Sequence, residues 1–196
     1  MSDSTETTRL LTACELGNEE GFELLFARHR RALRAFISRR LGPVLTTRID
    51  ASDIVQDTQA AMFTRLEDYF ERRPMPFQVW AMKTALDCLG KARRHHVLAD
   101  KRSILHEVPL SHATSVTLAD SLLGSPSASL NRKEQVARVR LAMDELGDSD
   151  REILVMRYVE GLNNVQIGSI LELSPDAVSK RHGRALVRLH QLLGQD

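Results

Sequence analysis

The feature that most constrains the fold is a pair of helix-start patterns that follow one another near the C-terminal end. In the stretch "NNVQ", Asn163 and Gln166 have the spacing of a capping box, in which each side chain bonds the backbone amide of the other residue. Ser174 is a favourable N-cap residue, and Pro175 follows it at the first helical position, where its missing N–H is not needed. Between these starts there is room for a short helix through Ile170 and a turn of a few residues. We therefore predict two helices that meet at a tight turn.

This arrangement is typical of a helix-turn-helix, whose second helix enters the DNA major groove. The predicted core between the two helices consists of Val165, Ile167, Ile170, Leu173 and Val178, and Gly168 permits their close approach. The residues left to face DNA or solvent are Asp176, Ala177, Ser179, Lys180, Arg181 and Arg184. Cations on such a face pair with guanine edges or with phosphates. The alternative is an exposed cationic helix within a bundle.

The remainder of the chain also has helical periodicity. Apolar residues recur at helical spacing at Phe22, Leu25, Phe26, Leu33, Phe36, Ile37 and Leu41, and Gly42-Pro43 ends the pattern. A second helix is predicted from a cap at Asp50 or Ser52 to about Phe70, and a third from about Gln78 to His95. No stretch alternates with period two for long enough to predict a strand. We therefore expect an all-α protein.

A change in composition divides the chain. Residues 111–129 are rich in Ser, Thr and Ala without a strong period, which indicates a flexible linker that has room for one short helical turn. The predicted organisation is two small helical domains over residues 1–102 and 129–196, joined by a linker over residues 103–128.

Composition excludes several classes of protein. The chain of 196 residues has a formal net charge of +1, so it is not a general nucleic-acid-coating protein. No apolar run approaches the roughly 20 residues that span a bilayer, and we expect a cytoplasmic protein without membrane insertion. Cys14 and Cys88 are predicted to be small buried residues, and the adjacent His95 and His96 do not have metal-ligand spacing. No catalytic or phosphate-binding motif is present, so we expect neither a cofactor nor an enzyme.

The third predicted helix has two unlike faces. One is an apolar stripe of Val79, Met82, Leu86 and Leu89, and the other carries Trp80, Lys83, Thr84, Asp87, Lys91 and Arg94, with Phe77 just before it. Aromatic rings beside cations suit single-stranded nucleic acid, because rings stack on bases and cations follow the backbone. A lone tryptophan is more often a core residue, and the sequence leaves both interpretations open.

Charge is unevenly distributed before that helix. Residues 28–40 contain six arginines and no acid, whereas Asp53, Gln56 and Asp57 lie on one face of the second predicted helix. An acidic face repels phosphate, so its functional interpretation is contact with a basic protein partner. The alternative is a solvated helix start, where carboxylates are favoured by the helix dipole.

Taken together, these segments resemble the extracytoplasmic-function (group 4) sigma factors of bacterial RNA polymerase, in the sigma-70 family. The start of region 2 is similar to "LLTACELGNEEGFELLFARHRRAL", its polymerase-binding segment to "ASDIVQDTQAAMFTRL", and its promoter-melting segment to "PFQVWAMKTALDCLGKARRHH". Region 4 resembles "AMDELGDSDREILVMRYVEGLNNVQIGSILELSPDAVSKRHGRAL". The resemblance covers almost the whole chain. It implies a transcription initiation factor with core RNA polymerase and promoter DNA as partners.

The resemblance also implies roles for particular residues. The −35 element would be read by Ser174, Asp176, Ala177, Ser179, Lys180, Arg181 and Arg184. The −10 element would be contacted by Arg72, Arg73, Phe77, Trp80, Lys83, Thr84, Asp87, Lys91 and Arg94, with the loop from Arg72 to Phe77 capturing an unstacked base. The polymerase clamp helices would be held by Asp53, Gln56 and Asp57. An anti-sigma factor is a further partner that the family leads us to expect.

Two other classes compete with this interpretation. A helix-turn-helix regulator that binds duplex DNA as a dimer leaves the Trp80 face and the acidic Asp53 face unexplained. A purely helical adaptor leaves the helix-turn-helix unexplained.

Overall fold

The computed structural model describes residues 3–41, 46, 48–98, 112–123 and 129–194. Within these residues the chain forms ten α-helices and no strand, so the all-α prediction is confirmed. The helices belong to two compact units, Met1–Leu105 and His106–Asp196.

The first unit contains five helices. They are α1 (Thr5–Glu15), α2 (Glu19–Ser38), α3 (Ala51–Thr64), α4 (Leu66–Arg72) and α5 (Phe77–Leu98). The second unit contains the other five, which are α6 (His112–Leu123), α7 (Ser129–Glu145), α8 (Asp148–Tyr158), α9 (Asn164–Leu171) and α10 (Pro175–Leu193). Helix α1 was not among the helices predicted from the sequence.

The core of the first unit is formed around α2. All seven apolar residues that predicted this helix are buried, from Phe22 to Leu41. The helix itself ends at Ser38, and the predicted stop at Gly42-Pro43 lies outside the described residues. Burial of a stripe that spans the length of α2 is what holds α1, α3 and α5 against it.

The predicted helix from Asp50 to about Phe70 is two helices. Asp50 is its N-cap, as expected, and its side chain accepts a hydrogen bond from the Ser52 amide at 2.6 Å. The helix breaks at Arg65, whose φ of −110° and ψ of 14° leave the helical region. The break separates α3 from the short α4 and turns Tyr69 into the core, where it is 5 % exposed.

The predicted linker is wrong over residues 112–123, which form the three-turn helix α6. Leu118 and Ala119 are buried in a core that α6 shares with α7, α8 and α10. Helix propensity is a weak guide where an apolar face is buried against neighbours, and here packing stabilises a Ser- and Thr-containing helix. The rest of the predicted linker, at 103–111 and 124–128, lies outside the described residues.

Cys14 and Cys88 are buried as predicted, and burial raises the pKa of both thiols. Within the part of the chain that the structure describes, no three His, Cys, Asp or Glu side chains form a group that could hold a metal. None of the helices in that same part has both the length and the apolar character that crossing a membrane requires.

Candidate nucleic-acid and polymerase interfaces

The start of each helix in the α9–α10 pair is fixed by side-chain caps. Asn163 Oδ1 accepts from the Gln166 amide at 2.9 Å, and Gln166 Oε1 accepts from the Asn163 amide at 3.0 Å. The predicted capping box is therefore confirmed. Ser174 Oγ accepts from the Ala177 amide at 3.2 Å, and Pro175 opens α10 as expected. These local bonds set which residues of α10 point away from α9.

The turn between α9 and α10 brings their backbones close together. A Cβ added to Gly168 would lie 2.5 Å from the carbonyl oxygen of Leu173, so only glycine fits there. Ile167, Ile170 and Val178 are buried between the helices, as predicted. Val165 is 62 % exposed, so its assignment to this core is wrong. It lies on the side of α9 opposite to Ile167 and Ile170, because successive helical residues are rotated by about 100°.

The inner face of α10 is a stripe of Val178, Ala185 and Leu189, all of which are buried. Five of the seven residues predicted to contact duplex DNA are exposed, and they are Ser174, Asp176, Ser179, Lys180 and Arg184. The other two, Ala177 and Arg181, are partly buried at the edge of the same surface. The structure therefore places the predicted set together on the first turns of α10, away from its buried stripe.

Two contacts that anchor α10 were missed in the sequence. His182 Nε2 lies 3.1 Å from Tyr158 Oη, and burial lowers the pKa of His182, helped by the charge of Arg157. Arg188 forms an ion pair with the buried Asp150 at the start of α8. Both contacts fix α10 on α8. Neither partner is close in sequence, so no local pattern could have revealed them.

Part of the face of α5 that carries Trp80 is buried. Trp80 is 9 % exposed and stacks on Tyr69, with ring centroids 4.4 Å apart and an interplanar angle of 20°. Phe77 is fully buried and meets the Trp80 ring edge-on at 5.8 Å. Thr84 is also buried. The expectation that these three residues share an open face with the cations is therefore wrong.

The reason is that α5 is buried on nearly all sides. Its predicted apolar stripe is accompanied by buried Ala81, Ala85 and Cys88 on other faces. Helix α5 packs on both α2 and α3, so more of its surface than the apolar stripe is buried. The remaining residues of the predicted −10 set are at the surface: Arg72, Arg73, Asp87, Lys91 and Arg94 are exposed, and Lys83 is half-buried.

The loop between α4 and α5, residues 73–76, contacts this aromatic cluster through Tyr69. Arg73 has a φ of 35°, in the left-handed region, and its guanidinium lies 2.5 Å from a Glu15 carboxylate oxygen. Tyr69 Oη donates to the Met75 carbonyl at 3.1 Å. Burial raises the pKa of Tyr69 to about 12, so its hydroxyl stays protonated and remains a donor at neutral pH.

The acidic face of α3 is open to solvent. Asp53, Gln56 and Asp57 are all exposed. Asp53 also has a structural role, because its Oδ2 accepts from the Asp50 amide at 3.3 Å and completes a capping box. The side chains of Gln56 and Asp57 form no hydrogen bond or ion pair with other residues that the structure describes.

An aromatic residue on this side of α3 was missed. Phe63 is 55 % exposed, and its ring centroid lies 5.3 Å from that of Phe22. It follows Gln56 by seven residues, which is two turns of the helix. That helical spacing is the pattern that could have identified it.

The arginine-rich stretch of α2 divides into two kinds of residue. Arg28, Arg30, Arg31 and Arg34 are exposed. Arg40 is buried, its Nη1 donates to the Phe36 carbonyl at 2.9 Å, and its guanidinium lies 3.6 Å from the centroid of the Phe36 ring. Part of the apparent charge cluster is therefore used inside the unit.

Comparison with known proteins agrees with this geometry. Residues 142–191, which run from the end of α7 almost to the end of α10, match the family described as Sigma-70, region 4. The RNA polymerase sigma factor CnrH of Cupriavidus metallidurans is 30 % identical over 195 residues, which cover 97 % of this chain and 96 % of CnrH. The ECF RNA polymerase sigma factor ShbA of Streptomyces griseus is 28 % identical over 180 residues, covering 88 % of this chain and 87 % of ShbA.

Solved structures give the same result for the fold. The structure of CnrH in complex with the cytosolic domain of CnrY superposes with a TM-score of 0.60 at 25 % identity, covering 97 % of this chain and 99 % of that one. RpoE in complex with the anti-sigma factor NepR from Bartonella quintana has a TM-score of 0.58 at 19 % identity, covering 89 % and 98 %. The second likeness shows a shared fold.

The chain belongs to the RNA polymerase sigma factors of the extracytoplasmic-function type. It is a transcription initiation factor and not an enzyme. Its relationship to sigma factors along almost its whole length favours this class over a dimeric helix-turn-helix regulator.

Proposed function

We propose that this sigma factor joins core RNA polymerase through the exposed face of α3 and reads promoters with its two units separately. The first unit, with a proposed boundary at residue 102, acts at the −10 element, and residues 129–196 act at the −35 element. Helix α6, which lies inside the predicted linker, packs with the second unit. The protein would act in the cytoplasm, where transcription takes place.

The observation that carries the proposal is the exposed surface of α10. Its start is fixed by Ser174, and Lys180 and Arg184 extend from it while Val178 is buried behind. A recognition helix presents its N-terminal turns to base edges in the major groove, and this helix exposes the predicted residues at that end. The cations would bind phosphates or guanine edges, and Asp176 and Ser179 would accept or donate to neighbouring bases.

At the −10 element we propose that exposed and buried residues have different roles. Arg72, Arg73, Lys91 and Arg94 would bind the displaced strand because they are exposed cations. Phe77, Trp80 and Thr84 would support the loop from beneath, because they are buried. Asp87 and the half-buried Lys83 remain proposed contacts at the edge of this surface. Capture of an unstacked base on the loop recovers part of the cost of melting the duplex.

For the polymerase, the proposed contacts are Asp53, Gln56 and Asp57, with Phe63 as an additional apolar contact. Carboxylates meet basic partner groups, and an exposed aromatic residue supplies contact area at low entropic cost. Phe63 already packs on Phe22, so its ring is held in place before binding. An anti-sigma factor is a further proposed partner, supported by the solved complex of CnrH with the cytosolic domain of CnrY.

The experiment that tests this proposal is association with purified bacterial core polymerase. We expect the wild-type chain to bind, and Asp57→Arg to weaken binding by at least about tenfold because it opposes like charges at the interface. Asp68→Arg is the matched control, since Asp68 is an exposed acid on α4 outside the proposed interface. Equal affinity of the Asp57→Arg and wild-type chains would remove the α3 face from the proposal.

A further inference from the structure

The loop between α4 and α5 is tied to the N-terminal segment of the chain. The backbone amide of Phe77, the first residue of α5, donates to both carboxylate oxygens of Asp3, at 3.0 and 3.1 Å. These residues are 74 positions apart in sequence. A carboxylate that receives a free amide at a helix start acts as an N-cap, and here the cap comes from a different part of the chain.

The first residue of the same loop, Arg73, contacts the C-terminal end of α1. Glu15, the last residue of α1, lies 2.5 Å from the guanidinium of Arg73. Arg73 ends α4 with a left-handed backbone, which residues other than glycine adopt only at a cost. Such a conformation persists where surrounding contacts hold it, and the Glu15 pair is one such contact.

Helix α1 is capped at Ser4, the residue that directly follows Asp3. Ser4 is the N-cap of α1 and accepts from the Thr7 amide at 3.3 Å. Thr7 Oγ1 lies 3.4 Å from His29 Nε2, and the His29 ring lies 5.3 Å from the Phe77 ring. Asp3 therefore directly precedes a capped helix that is packed on α2, and its carboxylate reaches α5 from a defined place.

We propose that α1 is a brace for the loop at residues 73–76, with Asp3 and Glu15 as positioning residues for capture of the −10 base. This inference rests on the proposed function of that loop. Asp3 fixes where α5 begins, and Glu15 holds the strained end of α4. The loop is therefore held at both of its ends by contacts from α1 and the residue before its cap. A loop that is already ordered loses less conformational entropy when it binds a base, so bracing favours promoter opening without contact to DNA.

The test measures promoter opening by holoenzyme, using full-length variants without an N-terminal tag and a −10 element containing 2-aminopurine. We expect Asp3→Ala to slow the fluorescence increase by about five- to tenfold, an effect of the size that loss of a helix cap produces. Glu15→Ala should slow it by about two- to fivefold, because the Glu15–Arg73 ion pair is exposed and such pairs contribute less. Asp3→Asn should restore most of the rate, because its amide oxygen still accepts from Phe77. Glu6→Ala is the matched control, since Glu6 pairs with Arg9 on the exposed side of the same helix.

Association with core polymerase should stay close to wild type in these variants, and the melting temperature should fall by no more than the few degrees that loss of one helix cap causes. Wild-type opening rates in both Asp3→Ala and Glu15→Ala would overturn the brace. Parallel loss of core association and thermal stability would also overturn it, because it would show a general structural role. Arg72→Ala tests base capture separately, because Arg72 directly precedes the loop. If promoter opening by Arg72→Ala is also as fast as wild type, the proposed role of the loop in base capture fails. If Arg72→Ala opens promoters slowly while Asp3→Ala and Glu15→Ala do not, only the brace is overturned.

Discussion

Helices α10 and α5 were both predicted to present a nucleic-acid-binding face, and the structure supports that geometry only for α10. In α10 the buried residues form one stripe, and Lys180 and Arg184 lie opposite to it. In α5 the predicted binding face carries Trp80 and Thr84, and both are buried. The comparison teaches that aromatic and cationic residues on one helical face indicate a site only if that helix lies at the edge of its domain.

The difference arises because the residues that pack against each helix lie at different distances from it in the sequence. The start of α10 is set by Ser174, and its first buried residue, Val178, packs against α9, so both depend on the segment that directly precedes the helix. The surroundings of Trp80 depend on Tyr69, which α4 brings into the core after the break at Arg65. Tyr69 precedes the two prolines that end the pattern, so periodicity within α5 carries no information about it.

The largest expected effect comes from removing the aromatic cluster. Trp80→Ala should destabilise the first unit by about 3–5 kcal/mol, because it leaves a cavity against Tyr69 and Phe77. Hydrogen exchange followed by mass spectrometry would resolve the loss in the first unit from the second. Leu24→Ala is the control, since Leu24 is 59 % exposed and its truncation should change stability little. Trp80→Ala with wild-type stability would mean that Trp80 is not a core residue.

A smaller effect is expected where α9 approaches α10. Gly168→Ala should destabilise the second unit by about 1–3 kcal/mol, because the new Cβ meets the Leu173 carbonyl and backbone must shift. Gly183 is the matched control in α10, where an added Cβ meets nothing within 4 Å. Gly183→Ala should stabilise the same unit by about 1 kcal/mol, since glycine is a poor helix former. Urea unfolding measures both, and changes of the same sign would contradict the packing described.

The smallest effect is a dependence on pH in the second unit. Because burial lowers the pKa of His182, the unfolded chain binds a proton more readily than the folded chain does. Stability should therefore fall as pH drops through the ordinary histidine range near about 6.5 and on to the lowered pKa. His182→Gln keeps a hydrogen-bonding group for Tyr158 and should reduce this fall, as measured by unfolding at about pH 7.5 and about pH 5.5. An unchanged pH dependence would exclude His182 as its source.

The sequence was sufficient for several features that depend on nearby residues. The capping box at Asn163, the N-cap at Ser174 and the need for glycine at Gly168 were all predicted, because each is set by residues a few positions away. The seven apolar residues of α2 were predicted to be buried for the same reason. Helical periodicity depends on neighbouring residues only, so it predicts the buried residues correctly where one face of the helix packs against a core.

Features set by distant contacts could not be predicted. Helix α6 is stabilised by burial of Leu118 against α7, and its Ser- and Thr-rich composition indicates a linker. The anchoring of α10 by Arg188 and Asp150 joins residues 38 positions apart. The roles of the residues assigned to DNA and polymerase remain predictions.

The most direct test of the central claim is mapping of transcription start sites on a genomic promoter library with this protein and core polymerase. We expect new start sites that depend on both promoter elements. A double variant with Lys180→Ala and Arg184→Ala should still assemble with polymerase but lose its dependence on the −35 sequence. The account would be contradicted by a protein that neither binds core polymerase nor produces new start sites, and above all by one that binds duplex palindromes as a dimer.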